Sequence, residues 1–204
     1  DGPSEEVAYL ASRVAGIARE HSATSCRASS SEAERLAFWA GRKAAFPAVG
    51  RLSPDYYCMD GTIPRRELPR VLGAIGRMSE RYGLRVANVF HAGDGNLHPL
   101  ILYDANRAGE LERAEGFGAE ILKLCVDVGG VLSGEHGVGL EKRDLMPYQF
   151  SAADLSVQKR LKEAFDPDGR FNPGKVFPLL HRCAEEGRVH VHRGEERFPE
   201  LPRF

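Results

Sequence analysis

Long hydrophobic runs are missing from this 204-residue chain. No apolar stretch approaches the roughly 20 residues of a membrane-spanning helix, and mean hydropathy is -0.36. An excess of charge is missing too: 28 Lys and Arg face 29 Asp and Glu, which excludes a broadly basic nucleic-acid binder. Cysteine is scarce. Cys26, Cys58, Cys125 and Cys183 show no CxxC spacing, so a zinc finger or redox dithiol is not expected and free thiols are. Neither GxGxxG nor a P-loop is present, so nothing here holds a nucleotide phosphate by its own motif. Asp1 opens the chain without Met, basic n-region or apolar h-region. A cytoplasmic segment of a longer product is therefore expected, membrane-associated only through partners. What is there is ordinary: 42% hydrophobic and 28% charged residues, enough for a buried core.

Periodicity predicts a mixed order of elements. Val7, Leu10, Val14 and Ile17 mark a helix over 4–20 behind a Ser4 cap, and Ser31 with Glu34 has capping-box spacing for a second helix. A strand is expected over 55–63, then a helix over 65–81 ended by Gly83. Strands at 84–91 and 97–103 flank the turn Gly93-Asp94-Gly95-Asn96. A helix over 107–128, a strand reaching Ser133-Gly134, and helices at 140–146 and from Ser151 to Phe165 complete the pattern. Residues 166–178 should lie extended, and the tail 181–204 has no clear period. Strands partly adjacent and partly separated by helices predict an α+β fold: an antiparallel sheet covered by helices, followed by a C-terminal helical segment.

Chemistry concentrates in two segments. In His91-Ala-Gly-Asp-Gly-Asn-Leu-His98 a glycine-rich turn can fold the second imidazole back beside the first, Gly93 and Gly95 supplying positive φ. Two converging imidazoles make half a divalent-metal site; the alternative is a hairpin with two incidental histidines. In Ser133-Gly134-Glu135-His136-Gly137 a Glu and a His sit side by side among glycines that admit a ligand to the backbone. Glu135 can complete a His/His/carboxylate set, leaving His136 as a general base, the role imidazole suits best among side chains; the alternative is an exposed polar turn. Arg42 can clamp a carboxylate or simply be solvated. Asp94 and Asn96 can orient the imidazoles or only form the turn. Asn172 in Asn-Pro-Gly-Lys can touch a flavin or phosphate, or be a rigid turn.

The blocks YYCMDGTIPRREL (56–68), HAGDGNLHP (91–99), SGEHGVG (133–139) and FNPGKVFP (171–178) resemble, in this order, the FAD-linked oxidase C-terminal domain of vanillyl-alcohol-oxidase-type flavoenzymes. Glycolate oxidase and D-lactate dehydrogenase are the branches most resembled. The resemblance implies a ferredoxin-like cap domain over residues 1–180, with the FAD-binding domain lying outside this chain. It implies oxidation of a small D-2-hydroxy acid, with His91, His98 and Glu135 as metal ligands, zinc by type. His136 would be the base, Arg42 the clamp on the substrate carboxylate, and Asn172 a contact to FAD. An electron-acceptor subunit or carrier is the implied partner, and self-association of the isolated domain is expected. By the same resemblance the domain should be inactive without its FAD-binding half. Hydroxyglutarate-type relatives carry polar residues where this chain has Leu100, Cys58 and Phe46, which points to glycolate or D-lactate. The competing classes are a non-redox metal-binding module and an inert interaction domain.

Overall fold

Helices α1 (Ser4–Glu20) and α2 (Glu32–Lys43) belong to the first of two units, which ends at Ala48; the second begins at Val49. The computed structural model describes residues 2–178 and the backbone of two short strands at 191–192 and 195–196. Helix α1 forms where the apolar spacing predicts it, but Ser4 is its first helical residue. The cap position falls to Pro3, which offers no side-chain acceptor. Ser31 does cap α2, accepting from the Glu34 N–H at 3.2 Å. The Glu34 carboxylate turns instead to the Ser30 N–H (2.6 Å) and hydroxyl (2.9 Å). No residue of α1 or α2 is buried.

A short helix, α3 (Ala45–Val49), leads into the second unit, where the core lies. Strands β1 (Asp55–Cys58) and β2 (Gly61–Thr62) precede a 3₁₀ turn and α4 (Leu68–Tyr82). Gly83, at φ +63, ends α4 in the left-handed conformation its position predicts. Then follow β3 (Val86–Asn88), β4 (Asn96–Leu97), β5 (Pro99–Tyr103) and α5 (Glu110–Asp127). The expected helix at 140–146 is instead a 3₁₀ turn over Arg143–Leu145 running into α6 (Met146–Gln149). Helix α7 (Ala152–Phe165) starts at a capping box between Ser151 and Asp154. Strands β6 (Val191–His192) and β7 (Glu195–Glu196) pair antiparallel; the rest of the tail lies outside the described residues.

The architecture is α+β, as expected. β5 lies between β1 and β3, antiparallel to both. The register sets Tyr57, Ile101 and Val86 in one row, and this row packs into the core. Against it α5 presents Ala114, Phe117, Ile121 and Cys125, spaced to lie on one helical face, and α4 adds Val71 and Ile75. All six are fully buried. Phe117 also stacks on Tyr82, ring centroids 5.1 Å apart. Burying a side chain of this size contributes about 1.5–3 kcal/mol.

Two expected strands are interrupted. The segment 55–63 breaks at Met59-Asp60, and β2 pairs with β4 as a separate ribbon, Gly61 opposite Leu97 and Thr62 opposite Asn96. The strand expected to reach Ser133-Gly134 is a single bridge from Val131 to Thr62. The second does not extend because the Leu132 N–H donates to Gln149 Oε1 and the N–H groups of Gly134, Glu135 and His136 turn to the side chain of Asp60 instead of a neighbouring strand.

Beyond α7 the chain is tied down by Asp166. Its buried carboxylate accepts from Lys162 Nζ (2.6 Å) and from the N–H groups of Arg170 (2.8 Å) and Phe171 (2.9 Å). The Lys162 bond and these two N–H groups outweigh desolvation and hold the carboxyl below its usual 3.8. A carboxyl depressed in the folded state stabilises above its unfolded pKa, and that contribution is lost as pH falls through the folded one. Asp166→Asn should therefore lower stability to urea at pH 7, and the two proteins should converge as pH drops below about 4. A difference that persists unchanged at pH 3 would contradict this.

Candidate active site

The expected turn between β3 and β5 forms, but of its two glycines only Gly95 takes a positive φ; Gly93 does not. His91 bridges Asn96, with the His91 N–H donating to the Asn96 carbonyl at 3.0 Å. Gly95, at φ +76, leaves no room for a side chain, since a Cβ there would lie 2.1 Å from the Ile63 carbonyl oxygen. The hairpin brings the two imidazoles together, ring centroids 5.4 Å apart and nearly perpendicular. His98 is buried; His91 remains open, its side chain 45% exposed.

The loop Ser133–Gly137 completes the cluster from the other side. One carboxylate oxygen of Glu135, Oε1, lies 3.0 Å from His98 Nε2 and 3.6 Å from His91 Nε2. The His136 ring stacks on His98 at 4.9 Å and 10°. Of the residues expected to form the site, His91, His98, Glu135 and His136 are thus brought together. Arg42 sits in the exposed last turn of α2, within the first unit. Asn172 holds a left-handed φ of 47°, and its side-chain oxygen accepts from Lys175 Nζ at 3.0 Å. Its segment is fastened to the loop beyond the site by the Val176 N–H to the Gly139 carbonyl (2.8 Å) and by Arg143 Nη1 to the Gly174 carbonyl (2.9 Å).

The residue that organises the loop is Asp60, which sequence reasoning passed over as part of a strand. Its side chain is fully buried. Oδ2 accepts from Ser133 Oγ (2.7 Å), from the N–H groups of Gly134 (3.1 Å), Glu135 (3.1 Å) and His136 (2.8 Å), and from Lys142 Nζ (3.2 Å). Burial alone would raise its pKa; the His136 N–H, the Ser133 hydroxyl, the Glu135 N–H and the Lys142 ammonium reverse that and keep it ionised far below the usual carboxyl range. Lys142 is buried as well and reaches the Asp60 carbonyl (3.1 Å) and Ser133 Oγ (3.2 Å). For His98, burial and then the neighbouring His136 lower the pKa, favouring the neutral imidazole that can ligate a metal.

Asp60, His98, Glu135 and His136 each offer a ligand atom within 4.8 Å of the others. They are not equivalent as donors. Asp60 is already engaged by its loop, whereas Glu135 is half exposed and faces both histidines. His91 is not one of these four, but its Nε2 approaches the same Glu135 oxygen, so His91, His98 and Glu135 together present a nitrogen, nitrogen and carboxylate set of the type that can hold a divalent cation. Beneath them, Thr62 Oγ1 and Asn96 Oδ1 are buried with no hydrogen-bond partner, two further oxygens facing the same region. Thr62, His91, Asp94, Asn96, Gly134 and Glu135 line an open cavity of about 410 Å³.

The family described as FAD linked oxidases, C-terminal domain, matches residues 1–176. The chain belongs to that family. It is 60% identical over all 204 of its residues to the glycolate oxidase subunit GlcD of Escherichia coli (strain K12), covering 41% of that protein. It is 36% identical over 177 residues to the Bacillus subtilis (strain 168) protein of the same name, covering 87% of this chain and 38% of the relative. It is 31% identical over 185 residues to the mitochondrial D-lactate dehydrogenase (cytochrome) of Kluyveromyces lactis, with 87% and 32% covered. The chain thus spans less than half the length of each. Among the described residues no helix is long and apolar enough to cross a membrane.

Gly134 packs the loop closely onto the hairpin. A Cβ there would lie 2.5 Å from both Asn96 Oδ1 and Thr62 Oγ1. Gly134→Ala should cost about 1–3 kcal/mol of stability to urea by overpacking. A variant as stable as wild type would show that the loop does not sit on the hairpin.

Proposed function

We propose that this chain is the substrate- and metal-binding part of an FAD-dependent enzyme that oxidises a small D-2-hydroxy acid, glycolate or D-lactate, to the 2-oxo acid. The observation that carries the reading is the convergence of His91 Nε2 and His98 Nε2 on one oxygen of Glu135, with His136 stacked alongside. Flavin supplies the two-electron acceptor: the C2–H departs as hydride and the hydroxyl proton departs separately, leaving a carbonyl. A divalent cation at His91, His98 and Glu135 would polarise the substrate oxygens and make that proton easier to remove. His136 takes the proton, and its backbone N–H bond to Asp60 holds it beside the ligands while leaving the imidazole open. Arg42 clamps the substrate carboxylate bidentately, and Asn172 contributes to the flavin contact.

The preference for a small acid is supported by two apolar residues. Leu100 and Cys58 are register partners in adjacent strands, and Leu100 shares the strand face of His98 two residues before it. The FAD-binding part and an electron-accepting subunit or carrier are the partners this reading requires, and the word subunit in the relatives' name supports such an assembly. The exposed apolar residues Val7, Leu10, Val14 and Ile17 of α1 support coverage by another segment or by self-association when alone. A cytoplasmic enzyme, with any membrane association made through its partners, is the location that goes with this reading.

Metal content measured by plasma mass spectrometry should be about one divalent ion per chain and should vanish in His98→Ala. In the intact flavoprotein, His136→Gln should lower kcat for D-lactate or glycolate by about 10²–10⁴-fold. Metal-free wild type, or unchanged turnover in His136→Gln, would overturn the corresponding assignment.

A further inference from the structure

Asp60 is heavily hydrogen-bonded and borders the site, with most of its bonds made to the loop that carries Glu135 and His136. Its Oδ1 lies 3.6 Å from His98 Nε2, beyond hydrogen-bond reach, while Oδ2 is surrounded by the loop. Three successive N–H groups, Gly134, Glu135 and His136, point at this one carboxylate in the manner of an anion-binding nest filled by the protein's own side chain. Ser133 Oγ donates to Asp60 and accepts from the Gly137 N–H at 2.8 Å, so the turn is closed at both ends. Lys142 adds the balancing positive charge from inside.

We infer that Asp60, balanced by Lys142, is the positioning residue of the site: by holding the three N–H groups it sets Glu135 towards His91 and His98 and His136 over His98. The inference rests on the reading of Glu135 as a metal ligand and His136 as the base. The physical reason is geometric. Residues 134–137 are exposed and glycine-rich, so their backbone would otherwise sample many conformations. Neighbouring side chains of such a loop keep a fixed separation only if the backbone between them is held. The buried carboxylate does this with charge-assisted bonds, which are stronger than bonds between neutral groups.

The test uses the intact protein and cobalt(II) as the probe. In wild type, the amides of Gly134, Glu135 and His136 should exchange with solvent slowly despite their exposed position. Rapid exchange there would overturn the inference without any variant. Asp60→Asn alone leaves the Lys142 charge buried and can fail to fold, so the deciding variant is Asp60→Asn with Lys142→Met, which keeps the pair neutral. It should lose protection at residues 134–136 while α5 stays protected. It should also bind cobalt about 10- to 100-fold more weakly, with an altered visible absorption at saturation, as expected when a group supporting the ligands is removed. Wild-type affinity and spectrum in that variant would overturn the positioning role. A wild type that binds no cobalt would instead overturn the metal reading, and the exchange measurement would decide the role of Asp60 by itself.

Discussion

A single buried carboxylate, that of Asp60, stands at the junction of every segment that builds the site. Placing an ionised group in a protein interior is costly, of the order of several kcal/mol unless it is paired and hydrogen-bonded. Here the compensation comes from three backbone N–H groups, a hydroxyl and an ammonium, all within 3.2 Å. The consequence is mutual. The loop has no regular structure without the carboxylate, and the carboxylate has no reason to be buried without the loop. Losing either partner leaves the other group desolvated and unsatisfied, which makes this the most sensitive contact of the second unit.

The core sets where that carboxylate can be. The row Tyr57, Ile101 and Val86 locks the three-stranded register against α4 and α5. β1 then delivers Met59 into the core and Asp60 immediately beyond it, both fully buried. Leu97 at the end of β4 and Pro99 at the start of β5 are buried on either side of His98, so the imidazole is carried between two paired strands. Glu135 and His136, by contrast, ride on a loop. The cluster therefore combines one side chain fixed by packing with two carried on a loop fixed by hydrogen bonds.

Much of this was legible in the sequence. Gly93 and Gly95 between the two histidines point to a tight turn, and the turn is there, although only Gly95 is left-handed and Gly93 is not. The caps at Ser31, Gly83 and Ser151 follow from local chemistry and are found in the structure. Asp60 was not legible, because its partners lie more than 70 positions away and nothing local distinguishes it from a turn aspartate. That same long-range contact draws the N–H groups of residues 134–136 away from strand pairing, and the strand expected to reach Ser133-Gly134 is one bridge. Ser4 was misread for a local reason: Pro3 directly before it occupies the cap position.

The account makes one arrangement central: a cation held by His91, His98 and Glu135, with Asp60 inside its loop and His136 kept as a free base. Anomalous X-ray diffraction at the zinc absorption edge, from crystals of the intact protein grown with zinc, tests it most directly. The account predicts one peak within ligand distance of both Nε2 atoms and the Glu135 carboxylate, with the Asp60 bonds to residues 133–136 intact. A peak ligated by Asp60 or His136, or none in this cluster, would contradict it.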